Sequence, residues 1–108
     1  MAVTAPQVFL KTPTEERIYH YEIPQIDLAD DEVITSAVFT SEPTGLTHVV
    51  WGTAVIVGRI CQSKATGGAV PVGEDYQDYH GKVSIETTIT SGGSQKPEYC
   101  FVLRVQEC

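Results

Sequence analysis

Two segments of the C-terminal third alternate apolar and polar residues with a period of two. In 81–90, Val83, Ile85, Thr87 and Ile89 share one face, and Lys82, Ser84, Glu86, Thr88 and Thr90 the other. In 99–108, Phe101, Leu103 and Val105 lie opposite Cys100, Val102, Arg104 and Gln106. Successive strand side chains point to opposite sides of a sheet, so the pattern predicts two half-buried strands rather than a helix. Between them, 91–97 carries Gly92, Gly93 and Pro97, the residues of a hairpin connection.

The same alternation recurs upstream. Tyr19, Tyr21 and Ile23 face away from Ile18, His20 and Glu22, and Pro24 then removes a backbone donor, so this strand ends there or lies at an edge. Residues 26–31 read as an acidic turn. In 32–41, Val33, Thr35, Ala37 and Phe39 oppose Ile34, Ser36, Val38 and Thr40 in a long β-branched strand. Glu42-Pro43-Thr44-Gly45 is a turn signal. A short strand is expected over 47–51, broken by Gly52. Another spans 53–61, with Val55, Val57 and Arg59 opposite Ala54, Ile56 and Ile60. Residues 62–80 hold Gly67, Gly68, Pro71 and Gly73 with little periodicity and read as the longest irregular piece, where function often resides. No 3.6-residue pattern and no internal repeat is found. The sum is about six or seven evenly spaced strands, which predicts a β-sandwich, with a small barrel as the alternative.

Composition bounds the function. At 108 residues and 42% hydrophobic, the chain has the size of one domain and enough apolar material for a core. Seven Lys+Arg against fourteen Asp+Glu give a net charge of −7, which argues against nucleic acid and against anionic membranes as partners. No apolar run approaches a membrane span, and the first residues lack the basic, apolar order of a signal peptide. Cys61, Cys100 and Cys108 show no zinc or disulfide spacing, so Cys61 and Cys100 are expected to be small buried residues and Cys108 an exposed thiol.

Candidate chemistry is sparse. The acidic groups Asp27, Asp30, Asp31 and Glu32, and Glu74, Asp75 and Asp78, lack the spacing of a calcium loop and read as solvated turns. His20, His48 and His80 are scattered and no nucleophile elbow appears, so no catalytic, metal or cofactor residue is assigned and an enzyme is not expected. Trp51 reads as core. The chain is expected to divide into a 1–16 extended arm and a 17–108 sandwich domain, and the expected contact elements are 2–11 of the arm, with Val8, Phe9 and Leu10 as its apolar patch, and the 73–80 loop with Asp75, Tyr76 and Tyr79. Loop tyrosines are good interface anchors.

Taken in order, several segments resemble small tailed-phage structural proteins of the fibre–tail adaptor group. They are Lys11-Thr12-Pro13 with Tyr19 and Tyr21; Asp31-Glu32-Val33-Ile34-Thr35-Ser36; Thr44-Gly45-Leu46-Thr47; Thr87-Thr88-Ile89-Thr90-Ser91-Gly92-Gly93; and Phe101-Val102-Leu103-Arg104-Val105. The resemblance spans roughly 11 to 107 and implies an immunoglobulin-like antiparallel sandwich without catalytic machinery. It further implies a virion location, other tail, portal-proximal or fibre proteins as partners, and a homo-oligomer or ring in the particle. The acidic 63–80 segment is longer than in that group. A capsid decoration protein, or a soluble module binding carbohydrate or peptide through its loops, are the alternative expectations.

Overall fold

The computed structural model describes residues 7–43 and 48–107. Among these residues nine strands carry the fold: β1 (Gln7–Lys11), β2 (Arg17–Glu22), β3 (Glu32–Glu42), β4 (Val49–Trp51), β5 (Val55–Val57), β6 (Ile60–Gly67), β7 (Tyr76–Ile89), β8 (Ser94–Gln95) and β9 (Glu98–Gln106). They form two sheets packed as a sandwich. One has the order β1-β9-β7-β3, with β8 extending the hairpin from β7; the other has the order β2-β6-β4, with β5 also paired to β6. β3, β7 and β9 thus occupy the C, F and G places of an immunoglobulin sandwich, and β2, β6 and β4 the B, E and D places. The fold is all-β, as the alternation predicted.

Pairing departs from a purely antiparallel arrangement at one described ladder. β1 runs parallel to β9, with Phe9 opposite Leu103. Residues 7–11 are therefore a sheet strand, and the expected 1–16 arm is corrected to that extent. The pattern missed them because the strand turns only Phe9 and Lys11 inward, too short a run, and one of them charged, to show a period.

Phe101 is the hub of the core. Its ring centroid lies 5.4 Å from Phe9, 6.5 Å from Tyr21, 6.0 Å from Phe39 and 5.3 Å from Trp51, so it joins both sheets. Val83, Ile85, Leu103 and Val105 are buried around it, on the faces the alternation assigned. Gly81 sits directly opposite Phe101, and a Cβ there would come within 2.1 Å of the ring. The aromatic hub therefore needs a residue without a side chain across from it.

Further expectations are revised. In β3 the register shifts between Ile34 and Ser36, so Glu32 and Ile34 turn inward before the bulge, and Ala37 and Phe39 after it. An inserted residue flips the face, which a fixed period cannot register; Val33 is left exposed. The single strand expected over 53–61 is a hairpin: Gly58 at φ 60° and Arg59 turn the chain, with Val57 opposite Ile60. A glycine-first two-residue loop matches the right-handed twist of its flanking strands. Finally, much of 62–80 is ladder, since β6 runs to Gly67 and β7 starts at Tyr76. Its mixed Thr, Ser, Lys and Asp content obscured the alternation. Cys61 is buried as expected, whereas Cys100 is exposed because it lies on the outward face of β9. Gly45 and Cys108 lie outside the described residues.

Candidate docking surfaces

The two predicted contact elements divide by strand face. Val8 and Leu10 project from β1 and are about half exposed, at 52% and 51%. With Arg17, Ile18 and His20 of β2 they line an open groove of about 460 Å³ where β1 and β2 are the outermost described strands of the two sheets. Phe9, between them, points the other way and packs 4.8 Å from the Tyr19 ring. It is a core residue, so the expected surface patch loses its largest member.

Residues 73–80 separate in the same manner. Asp75 is exposed in the bend before β7. Tyr76 is exposed at the start of the strand, with the Arg104 guanidinium 4.1 Å from its ring centroid. Arg104 reaches directly across to Asp78 through two hydrogen bonds of 2.8 and 3.1 Å, and this donation holds the Asp78 carboxyl below its ordinary pKa. Tyr79 is 1% exposed. Its hydroxyl accepts from the Ala69 N–H at 3.0 Å and donates to the Ala69 carbonyl at 3.3 Å, ten residues upstream. A tyrosine near the start of the F strand bonded back to the preceding loop is the tyrosine corner of immunoglobulin sandwiches. Tyr79 thus fastens the loop from inside, and its place as a surface anchor is corrected.

The acidic turn is also a fastening. Asp27 accepts from the Tyr99 hydroxyl at 3.0 Å, and Asp31 from the Ser91 N–H at 2.8 Å. Hydrogen bonds from Ser91 lower the Asp31 pKa, while burial first, and then the Asp27 bond, raise that of Tyr99. Glu32 is buried, accepting from the Ala29 N–H at 2.9 Å and from the Thr87 hydroxyl. Among the described residues no group of three His, Cys, Asp or Glu is placed to hold a metal ion. Trp51 stacks on Phe39 at 5.3 Å and donates from Nε1 to the Ser41 hydroxyl at 2.9 Å, so its ring belongs to the interior rather than to a sugar-binding platform.

A further surface was not legible in the sequence. Between β3 and the β5–β6 turn an open groove of about 530 Å³ is lined by Leu28, Ile34 and Ile56, with Val33 and Thr35 at its side. The bulge creates it by turning Ile34 toward the gap, and no periodic signal marks a bulge. No protein family's sequence profile and no curated protein matches this chain.

Proposed function

We propose that the chain is a non-enzymatic structural protein of a tailed-phage virion, a connector or adaptor in the tail or head–tail assembly. The order and spacing of its short motifs support this reading, and so does an immunoglobulin-like scaffold. The observation that carries it is lateral. Among the described residues, both flanks of the sandwich end in strands paired on one side only, and both expose aliphatic side chains. Val8, Leu10 and Ile18 stand on one flank, and Val33, Val55 and Val57 on the other.

Two dissimilar lateral faces suit heterologous contacts, which close into rings when the rotation permits. Many copies, each contributing a modest interface, then hold a partner by avidity rather than by one strong contact. Partners in this reading are other virion proteins and further copies of the chain.

Immunogold labelling of intact particles with an antibody against the chain tests this. Label at the tail or neck is the expected result. Label spread over the head would make the chain a decoration protein instead. An absence of particle-associated label would remove the virion reading and turn attention to a soluble binding module.

A further inference from the structure

The outer face of the β7–β9 pair is a surface distinct from both flanks. Alternate residues of the two strands point out from it, and the register sets them in rows: Arg104 beside Asp78, Val102 beside His80, and Glu98 beside Ser84. Ile18 on one flank and Val55 and Val57 on the other belong to the second sheet and stay clear of this face, with Val8 and Leu10 at its margin. Four strands about 4.8 Å apart and the nine residues of β9 at about 3.4 Å each give the face roughly 600 Å², the lower end of what one partner of a specific complex buries.

Its charges cancel locally. Arg104 meets Asp78 at 2.8 Å, Lys82 meets Glu98 at 2.9 Å and Lys96 meets Glu86 at 3.7 Å. Glu42, opposite His80, is the further carboxylate of this face among the described residues. Three of the seven cations and four of the fourteen carboxylates thus stand here, which leaves six of the seven net negative charges on the rest of the chain. A second copy arriving by this face keeps those charges remote, and salt screens what lies beyond about 10 Å.

The rows are self-complementary as well. Turned about a two-fold axis that runs along the strands between β7 and β9, a second copy lays its β7 on β9 and its β9 on β7, row upon row. Arg104 then meets Asp78 of the second copy, Val102 its His80 and Glu98 its Ser84, with no like charges directly opposite. The bonds within one chain use Nε and Nη2 of Arg104 and one contact at each Asp78 oxygen, and a guanidinium has five donors and a carboxylate about four lone-pair sites. We propose that the chain pairs with a second copy through this face, Arg104 of each against Asp78 of the other. Joined to lateral contacts, the pairing sets two rings face to face. It stands or falls apart from the particle assignment, which labelling decides.

The test is sedimentation of the whole chain under reducing conditions, with charge reversals on the two partners. The parent is expected to sediment as a dimer. Arg104→Glu alone and Asp78→Arg alone each set like charges across the axis, and each is expected to weaken the dimer about tenfold. In an equimolar mixture of the two variants opposite charges face each other again, so a mixed dimer is expected within about threefold of the parent's affinity. Lys64→Glu makes the same change in net charge on the outer face of the other sheet and is expected to dimerise as the parent does. Near-ultraviolet circular dichroism certifies the fold of each variant. Without any variant, dilution of the parent is expected to shift the Val102 methyl resonances. A parent that stays monomeric at millimolar concentration, Val102 methyls unmoved by dilution, single reversals that dimerise like the parent, or folded variants whose mixture stays monomeric would overturn the proposal.

Discussion

At the middle of the sandwich Phe101 sits among the rings of Phe9, Tyr21, Phe39 and Trp51, whereas its two ends each bury a charged side chain, Lys11 at one and Glu32 at the other. Register places these two at opposite ends, Lys11 level with Val105 and Gln77, and Glu32 level with Ile89. Lys11 is a buried residue, and its ammonium donates to the carbonyls of Thr12 at 2.8 Å, Pro13 at 3.3 Å and Gly67 at 2.7 Å. Burial lowers its pKa, against the pull of Glu15 and Glu16. Apolar contact is non-directional and fills the centre, while directional bonds at the ends fix where each turn must lie. The centre makes the chain collapse; the ends choose which loop conformation it collapses into.

Deleting residues 1–11 attacks both regions at once. It removes the Phe9 ring and the three Lys11 bonds, so a loss of about 5 kcal/mol is expected in urea unfolding, often enough to prevent folding. An unchanged midpoint would show that β1 contributes nothing to the fold. Phe101→Ala isolates the centre and is expected to cost about 3–5 kcal/mol. A cost below about 1 kcal/mol would place the hub elsewhere. Gly81→Ala forces a methyl into the same ring and is expected to cost about 1–3 kcal/mol, with Phe101→Leu in the same chain recovering part of it.

Tyr19→Phe probes the boundary between the two regimes, because its ring is core and its hydroxyl donates to the Leu10 carbonyl at 2.5 Å. Loss of that bond is expected to cost about 0.5–1.5 kcal/mol. Burial, before any charge, raises the Tyr19 pKa from 10.0 to about 12. A phenol that keeps its proton longer when folded contributes stability that is whole below pH 10 and is lost as pH climbs toward 12. Tyr21 and Tyr99, also raised by burial, act in the same sense, and Lys11, lowered, in the opposite one. The alkaline limb of the stability curve should therefore be shallower in Tyr19→Phe than in the parent, and identical limbs would refute this role. The smallest effect is expected from Arg104→Ala. Its pair with Asp78 is partly open to solvent, so the midpoint should move least in this series, and less still at high salt.

The middle was legible in the sequence and the ends were not. Val83, Ile85, Phe101, Leu103 and Val105 announce their face because every second residue repeats the signal. Lys11 and Tyr79 each act once, through a contact with the backbone of a distant loop, and nothing in a local pattern marks such a contact. Alternation also assumes one residue per step, so it assigned Val33 to the wrong side of the bulge and carried a strand through Gly58. Of the expected contact residues, Val8, Leu10, Asp75 and Tyr76 lie on the surface. Phe9 and Tyr79 are interior, because an aromatic residue in a short or mixed-polarity segment looks alike whether it anchors a partner or its own loop.

The parallel ladder between β1 and β9 also orders events in time. Phe9 leaves the ribosome well before Leu103, yet its place opposite Leu103 exists only once nearly all of the described chain has been made. Contacts between residues so distant in sequence come at the expense of a long loop closure, which slows folding relative to domains built from local pairs. Until then the aliphatic residues of β1 lack their sheet, and the nascent chain carries a sticky strand with nowhere to go. Pairing of the first described strand with the last ties closure of the core to the appearance of β9.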